Sequence, residues 1–153
     1  MTIRRYERED LPAMRKVFLD ALYKKCSRDY TKEQLDAWAS GFPDDDSLDE
    51  RFTSSLTLIA EKGDRLVGFA NLEYDYVDML YVVPDYNGNG VGSELLRGLE
   101  AAARRKGIIK LSTCASATAK TFFTERGWSV ARPNIALRQG IVLQNYVLEK
   151  LMI

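Results

Sequence analysis

The feature of this sequence that most constrains its fold is a glycine-rich segment between a buried strand and a long helix. Residues 76–83 form a nearly continuous apolar run, which predicts a strand covered on both faces. Pro84 ends that strand, and three glycines then alternate with other residues over 88–92. Apolar residues at helical spacing follow over 91–106. A strand joined to a helix in this way predicts a sheet that packs against helices.

The glycine-rich segment also indicates an anion-binding site. Glycine has no Cβ, so the backbone can turn sharply and its N–H groups can approach a ligand closely. The N-terminus of the following helix adds unpaired N–H donors and a partial positive charge, which suit a pyrophosphate. The spacing is G-x-G-x-G and no lysine follows Gly92, which disfavours a dinucleotide-binding Rossmann unit or a P-loop. Alternatively, the three glycines only shape a turn.

The remaining segments predict a mixed sheet. Three helices come early in the chain, and we expect Asp10, Thr31 and Ser47 to cap them. A fifth helix is predicted at 117–126. Further strands are predicted at 2–6, 56–60, 65–72, 108–114, 128–132, 135–138 and 141–148. This order predicts an α/β protein of the α+β type, with a mixed central sheet, helices on both faces and a single domain over 1–153.

The composition excludes several classes of function. Lys plus Arg and Asp plus Glu both equal 22, so the zero net charge predicts no nucleic-acid partner. No apolar run reaches the roughly 18 residues of a membrane span, and residues 1–5 lack the apolar core of a signal peptide, so we expect a cytoplasmic protein without a membrane partner. The chain has no histidine, which excludes histidine-dependent hydrolases and histidine-bound zinc. Cys26 and Cys114 indicate neither a disulfide framework nor a zinc site, so we expect no metal.

Two segments resemble the GNAT superfamily of N-acetyltransferases, in particular a bacterial subgroup of small, single-domain members. Residues 80–92 are similar to its acetyl-CoA signature, Arg/Gln-x-x-Gly-x-Gly/Ala after a strand ending in Val-x-Pro. Residues 119–128 resemble the later Ala-x-x-Phe-Tyr-x-x-x-Gly-Phe segment. Asn87 stands where the signature usually has Arg or Gln, and Phe123 where many members have a tyrosine that protonates the leaving thiolate. The resemblance covers nearly the whole chain and implies a GNAT-like acyl-CoA N-acyltransferase fold.

The resemblance implies that the protein transfers an acetyl group from acetyl-CoA to an amine, in a ternary complex. The pantetheine arm is expected along strand 76–83 and the pyrophosphate on the glycine loop. Ser116 could equally cap the following helix, and Phe123 could equally pack in the core. The cofactor-binding residues that the resemblance implies are Leu80, Tyr81, Val82, Asn87, Gly88, Asn89, Gly90, Val91, Gly92, Ser93, Ser116, Thr118 and Phe123.

Acid–base chemistry must come from residues other than histidine, because an amine with a pKa of about 10 has to lose a proton before it attacks. Asp78 interrupts the apolar strand, where a carboxylate is costly without a partner or a purpose, and is the first candidate for the base. Strict alternation puts it on one face with Tyr76 and Leu80. A buried aspartate paired with a nearby arginine or a backbone amide would explain Asp78 equally well. Tyr76 is the second catalytic candidate, followed by Glu73 and Tyr74.

We expect the acceptor to be a small cationic or aromatic amine. The aromatic segment 30–42 precedes an acidic run at 44–46, and together they would form a pocket with apolar walls and a negative rim. Alternatively, the aromatic residues seal the core and the acidic run is a solvated loop. A non-catalytic acyl-CoA-binding module and an acetyltransferase for peptide or protein amines remain open as alternatives, as does a homodimer.

Overall fold

A computed structural model describes residues 1–86 and 88–153. Seven strands are present: β1 Thr2–Arg5, β2 Leu56–Lys62, β3 Arg65–Glu73, β4 Tyr76–Val82, β5 Lys110–Ser116, β6 Ser129–Arg138 and β7 Ile141–Leu151. They form one sheet in the order β1-β2-β3-β4-β5-β7-β6. β4 and β5 are parallel, whereas the other neighbouring strands are antiparallel. The mixed sheet expected from the sequence is confirmed.

Helices cover both faces of this sheet: α1 Leu11–Lys25, α2 Lys32–Ser40, α3 Asp45–Ser54, α4 Val91–Arg105 and α5 Ala117–Thr124. Phe52 of α3 packs on Phe69 of β3, and Phe18 of α1 packs on Tyr81 of β4. The opposite face carries α4, since Val91 and Leu95 lie against Gly68. Gly68 lets α4 approach β3 closely, since a Cβ there would lie 3.0 Å from Val91 Cγ1. No helix in the described part of the chain has the length and apolar character needed to cross a membrane.

The helix starts agree with the sequence at one position and differ at two. Thr31 forms the expected capping box with Gln34. However, α3 begins at Asp45, because Asp44 rather than Ser47 caps it and accepts a hydrogen bond from Ser47 N at 2.9 Å. The acidic run is therefore the start of a helix and not a loop, an arrangement that the helix dipole favours.

Asp10 does not cap α1 through its side chain. Its carboxylate accepts a hydrogen bond from Glu7 N at 2.8 Å and pairs with Arg4 at 2.6 Å, so it ties the first strand to the helix. The sequence prediction missed this role because the cationic partner comes from β1.

The two strands predicted at 128–132 and 135–138 form a single strand in the structure. β6 runs continuously over Ser129–Arg138, with an irregularity between Val130 and Arg132. Pro133 is tolerated inside this strand because β6 lies at the edge of the sheet, where one side of the backbone needs no ladder hydrogen bond. The prediction had ended the first segment before this proline.

Candidate active site

The sheet opens between its two parallel strands. β4 and β5 pair only at Tyr76–Ser112 and Val77–Thr113 over the described residues, although each strand has seven residues. Thr113 Oγ1 donates a hydrogen bond to Val77 O at 2.8 Å at the end of this short ladder. Beyond it the strands separate, and the facing edges of residues 79–82 and 114–116 border two cavities. Backbone groups at these edges are available to a ligand.

The first cavity is a cleft of about 970 Å³ that runs from this opening to the start of α4. Most residues that the family resemblance assigned to the cofactor line it. These are Leu80, Tyr81, Val82, Gly88, Gly90, Val91, Gly92, Ser93, Ser116, Thr118 and Phe123. Asn89 does not line this cleft, and Asn87 lies outside the described residues.

The glycines at the start of α4 have two different purposes. Gly88 and Gly90 both have φ of +82°, and a Cβ on either would meet no heavy atom of the described residues within 4 Å, apart from its chain neighbours. At these two positions glycine therefore provides a left-handed backbone and open space. Gly92 differs, because a Cβ there would lie 2.9 Å from Phe122 Cε1. This third glycine allows α5 to pack closely against α4.

The start of α4 offers unpaired hydrogen-bond donors. The N–H groups of the first helical turn have no intrahelical acceptor. Gly90 occupies the N-cap and has no side chain that could accept from them. The positive end of the helix dipole adds to this arrangement, which is the one that binds phosphate groups in proteins.

A cation is held beside these donors. Arg126 Nε donates to Ser93 Oγ at 2.8 Å, and its Nη1 donates to Phe122 O at 2.8 Å. The guanidinium also stacks on the Phe122 ring, 3.9 Å from its centroid. Lys24, Lys25 and Arg28 bring further positive charge to the same cleft. These cations could not be assigned from the sequence, because three of them come from the end of α1 and the turn after it.

The second cavity, of about 510 Å³, lies on the α1 and α3 face of the sheet. It meets the first cavity at the opening, and the two share lining residues: Trp38, Asp78, Met79, Tyr81, Cys114 and Ser116. Its other walls come from the aromatic residues of α1 and α2 and from the β6–β7 hairpin. The aromatic walls predicted for an acceptor pocket are thus present.

The negative rim predicted for that pocket is absent from the described structure. Asp44 caps α3, Asp45 pairs with Arg15 at 2.6 Å, and Asp46 pairs with Arg8 at 2.7 Å. None of the three lines the second cavity. Phe42 lines it, but its ring stacks on Phe18 with centroids 4.0 Å apart and is also covered by Arg15.

A β-bulge in β4 sets which side chains face the second cavity. Leu72 is opposite Val77 and Asn71 is opposite Met79, which leaves Asp78 without an opposite residue on β3. The extra residue shifts the alternation, as bulges do. Tyr76, Asp78, Met79 and Tyr81 consequently line the second cavity, whereas Leu80 lines only the first. The expectation that Asp78 and Leu80 share a face was therefore wrong.

Asp78 has the arginine partner that the sequence left open as an alternative. Arg51 of α3 binds both carboxylate oxygens, with Nε 2.7 Å from Oδ2 and Nη2 on Oδ1. Asn71 Nδ2 also donates to Oδ2, at 2.9 Å. The Asp78 side chain is 6 % exposed, so this network replaces the water that a buried carboxylate loses.

Glu73 lies next to this pair. Its Oε1 is 3.3 Å from Arg51 Nε, and its side chain is 45 % exposed. Burial and the negative charge of Asp78 raise the pKa of Glu73, against the opposing effect of Arg51. Burial likewise raises the pKa of Tyr76, which keeps its hydroxyl protonated.

The three later cofactor candidates also have structural contacts. Ser116 Oγ accepts a hydrogen bond from Ala119 N at 3.0 Å and caps α5. Thr118 Oγ1 donates to Asp29 at 2.7 Å. Phe123 is 4 % exposed and packs against Trp128. Each therefore positions α5 while part of it borders the cleft.

Known proteins share this arrangement. The profile of the acetyltransferase (GNAT) domain matches residues 26–150 of the chain. The uncharacterized N-acetyltransferase YafP of Escherichia coli is 31 % identical over 144 residues, which are 94 % of this chain and 91 % of that protein. The chain therefore belongs to the GNAT acetyltransferase family, and the resemblance seen in its sequence is confirmed.

Solved structures agree on the fold. The GCN5-related N-acetyltransferase of Rhodopseudomonas palustris has a TM-score of 0.94 and 36 % identity, with 98 % of this chain and 94 % of that chain covered. PaiA of Thermoplasma acidophilum, solved with coenzyme A, has a TM-score of 0.81 and 20 % identity, with 98 % of each chain covered. YncA of Salmonella typhimurium, solved with acetyl-CoA, has a TM-score of 0.75 and 19 % identity, with 100 % and 94 % covered. The last two likenesses show the fold alone.

Proposed function

We propose that this protein is an acetyl-CoA-dependent N-acetyltransferase that acetylates the amine of a small molecule by direct attack in a ternary complex. The observation that carries this proposal is the opening between β4 and β5. It joins two cavities that approach the same backbone from opposite sides, and Asp78 and Cys114 line both. An acyl donor in one cavity and an acceptor in the other would meet there.

The first cavity fits acetyl-CoA because of its own residues. Gly88 and Gly90 leave room for a pyrophosphate, and the first-turn N–H groups of α4 would bind it. Arg126 would add charge beside it. The free edge of residues 79–82 would bind the amides of the pantetheine arm. The bound molecule would supply a thioester, whose carbonyl carbon is open to attack by an amine.

The reaction needs two proton transfers. The acceptor ammonium loses one proton to a base, and its nitrogen then bonds to the carbonyl carbon. As the C–S bond breaks, the nitrogen loses a second proton, and the leaving thiolate gains one and departs as CoA thiol. N–H groups of β4 beside the bulge would donate to the developing oxyanion. Asp78, directly or through water, is our candidate for the first proton. Phe123 has no proton to give to the leaving thiolate, so we assign that role to Tyr76 or to water.

Direct attack is favoured over an acetyl-enzyme at Cys114. Burial raises the pKa of the Cys114 thiol, against the opposing effect of Arg138. A raised pKa keeps the thiol protonated, and the thiolate is the nucleophilic form. A small acceptor is supported by the second cavity, since about 510 Å³ is within the range of small-molecule sites.

The test is release of free CoA thiol from acetyl-CoA across polyamines, arylalkylamines, amino acids, aminoglycosides and lysine peptides. We expect turnover with small amines, initial rates that follow a ternary-complex pattern, and no acetylated protein by mass spectrometry. Binding of acetyl-CoA without thiol release for any amine would favour a non-catalytic acyl-CoA-binding module. Turnover confined to lysine peptides would contradict the small acceptor.

A further inference from the structure

The second cavity carries a positive charge without an anionic partner in the described part of the chain. Its charged lining residues are Arg51, Asp78 and Arg138. Arg51 is neutralised by Asp78 and lies close to Glu73 as well. Arg138 forms no ion pair with the described residues, and its one hydrogen bond there is from Nη1 to the neighbouring Leu137 O, at 3.1 Å.

Arg138 is an exposed residue at the edge of the cavity, in the β6–β7 hairpin. It is the last residue of β6, and its Cδ would lie 3.8 Å from a Cβ at Gly41, at the end of α2. The α2 carbonyls nearby already accept hydrogen bonds, since Gly41 N donates to Trp38 O and Phe42 N donates to Ala39 O, both at 3.2 Å. The helix end therefore does not use the guanidinium.

The charge of Arg138 acts inside the cavity. It opposes the increase that burial causes in the pKa of Cys114, and it does the same for Tyr81. Both of these residues line the second cavity. A planar guanidinium with free donors at the wall of a partly apolar pocket is suited to bind a carboxylate or a phosphate-type group.

Asp78 and Arg138 border different parts of the site. Asp78 lines both cavities and is therefore at the opening where transfer would occur, whereas Arg138 lines only the second cavity. Asn134 and Asn145 also line the second cavity, and Asn134 Nδ2 donates to Asn145 Oδ1 at 2.9 Å. Asn134 Nδ2 lies 3.8 Å from Cys114 Sγ, so this amide pair is beside the opening. The Asn145 amide nitrogen has no acceptor among the described residues and adds a neutral donor there.

We propose that the acceptor of this enzyme carries an anionic group as well as its amine, and that Arg138 binds that anion while the amine reaches the β4–β5 opening. The inference rests on the proposed function, because it assumes an amine at the opening. It names the substrate class as amino acids in the broad sense: small molecules with an amine and a carboxylate or phosphonate. It replaces the cationic acceptor that the sequence suggested.

The experiment compares amine acceptors that differ in this charge alone. Amino acids with carboxylates at different distances from the amine are assayed beside their carboxamides and the matching aminoalkylphosphonates. We expect the wild-type kcat/KM to be at least about ten-fold higher for the anionic member of the best pair. Arg138→Gln should lower that value roughly 10- to 100-fold, the range for a lost hydrogen bond to a charged group, and leave the carboxamide unchanged. Preference for the phosphonate would identify a phosphate-type anion.

Arg105→Gln is the matched control, since Arg105 is exposed on α4 and lines neither cavity. Equal turnover of acid and carboxamide by the wild type, or equal losses in both variants, would overturn the inference. Calorimetry tests the anion site without turnover. It compares binding of the N-acetylated acid with binding of the N-acetylated carboxamide, both to protein saturated with CoA. Selective binding of the acid, lost in Arg138→Gln, would support the site even if no amine were acetylated, and equal binding would reject it.

Discussion

Single residues decide whether the α4 start can receive a ligand, and Gly90 is the clearest case. Its left-handed backbone and the open space around it are features of one position. A valine there would be strained and would fill the space that a phosphate needs. Backbone strain at position 90 would by itself lower the stability of the protein. A test of Gly90 therefore has to measure stability and acetyl-CoA binding separately.

We therefore expect Gly90→Val to abolish acetyl-CoA binding at a cost of about 1–2 kcal/mol or somewhat more in stability. Gly63 is the control, because it also has a left-handed φ, of +62°, with no heavy atom within 4 Å of a Cβ, and lies in the β2–β3 turn. Gly63→Val should lose similar stability and keep acetyl-CoA affinity. Calorimetry on both folded variants checks this, and normal affinity in Gly90→Val would refute the assignment of the loop.

The role of Asp78 can be tested by changing its partner as well. If Asp78 is the base, Asp78→Asn should lower kcat by about 10²–10⁴, and Arg51→Gln, which frees the carboxylate, should cost much less. If Asp78 mainly holds the bulge through Arg51, the two variants should lose activity together. We expect acetyl-CoA affinity to remain close to wild type in Asp78→Asn under either role. Rates over pH 6–9, about two units around the optimum near 7 for a general base, and calorimetry distinguish the outcomes.

At the scale of elements, the start of α3 shows what determines the residue at which a helix begins. Asp44 and Ser47 both have residue types that cap helices, so composition does not separate them. With Asp44 as the N-cap, the first turn of α3 contains Asp45 and Asp46, and these pair with Arg15 and Arg8. These arginines come from α1 and the segment before it, and the local sequence does not reveal them.

Asp44→Ala should therefore destabilise the protein by about 1 kcal/mol, the usual effect of a lost cap. Ser47→Ala should destabilise the protein less, since the variant keeps the backbone N–H that Ser47 donates to Asp44. Urea denaturation of both variants measures the difference. A larger loss of stability in Ser47→Ala than in Asp44→Ala would contradict the assignment of Asp44 as the N-cap.

Periodicity predicted the sheet and α4, because alternating and helical patterns report which side chains are buried. It could not predict the β4 bulge, since one extra residue at Asp78 resets the alternation without any change in composition. The cofactor loop could be proposed from the sequence because its glycines and the following helix are consecutive. Arg51 and Arg138 could not be assigned, because α3 and the β6–β7 hairpin bring them to β4 only in the folded chain.

For the whole molecule, the opening divides the sheet into β1–β4 and β5–β7–β6, and α4 connects the two parts. Glu100 of α4 accepts hydrogen bonds from Lys150 Nζ of β7 at 2.9 Å and from Trp128 Nε1 at 3.1 Å. Lys150 Nζ also donates to Arg126 O at 2.8 Å. The Glu100 side chain is 8 % exposed, so its charge depends on these partners.

Lys150→Met should therefore destabilise the protein by up to about 3–5 kcal/mol, because the buried carboxylate loses its closest cationic partner. Only Arg104, half-exposed and 3.7 Å from Glu100 Oε1, then remains to pair with it. Adding Glu100→Gln to this variant removes the buried charge and should recover a large part of the loss. Thermal and urea unfolding of the two variants and the wild type measure it. No recovery in the double variant would mean that packing of the lysine stem, and not charge, explains the loss.

The separation of β4 and β5 also means that a ladder of hydrogen bonds is interrupted in the middle of the fold. A pantetheine arm that bonds to residues 79–82 would complete part of that ladder, so the ligand would act as a stretch of secondary structure. Those amide hydrogens of 79–82 that point toward β5 should then exchange fast without ligand and slow strongly when CoA is added. The amides of 79–82 that bond to β3, and those of the β2–β3 hairpin, should change little. The melting temperature should rise with CoA concentration beyond the dissociation constant. In this protein, the concentration of CoA would therefore determine how cooperatively the two parts of the sheet, β1–β4 and β5–β7–β6, unfold.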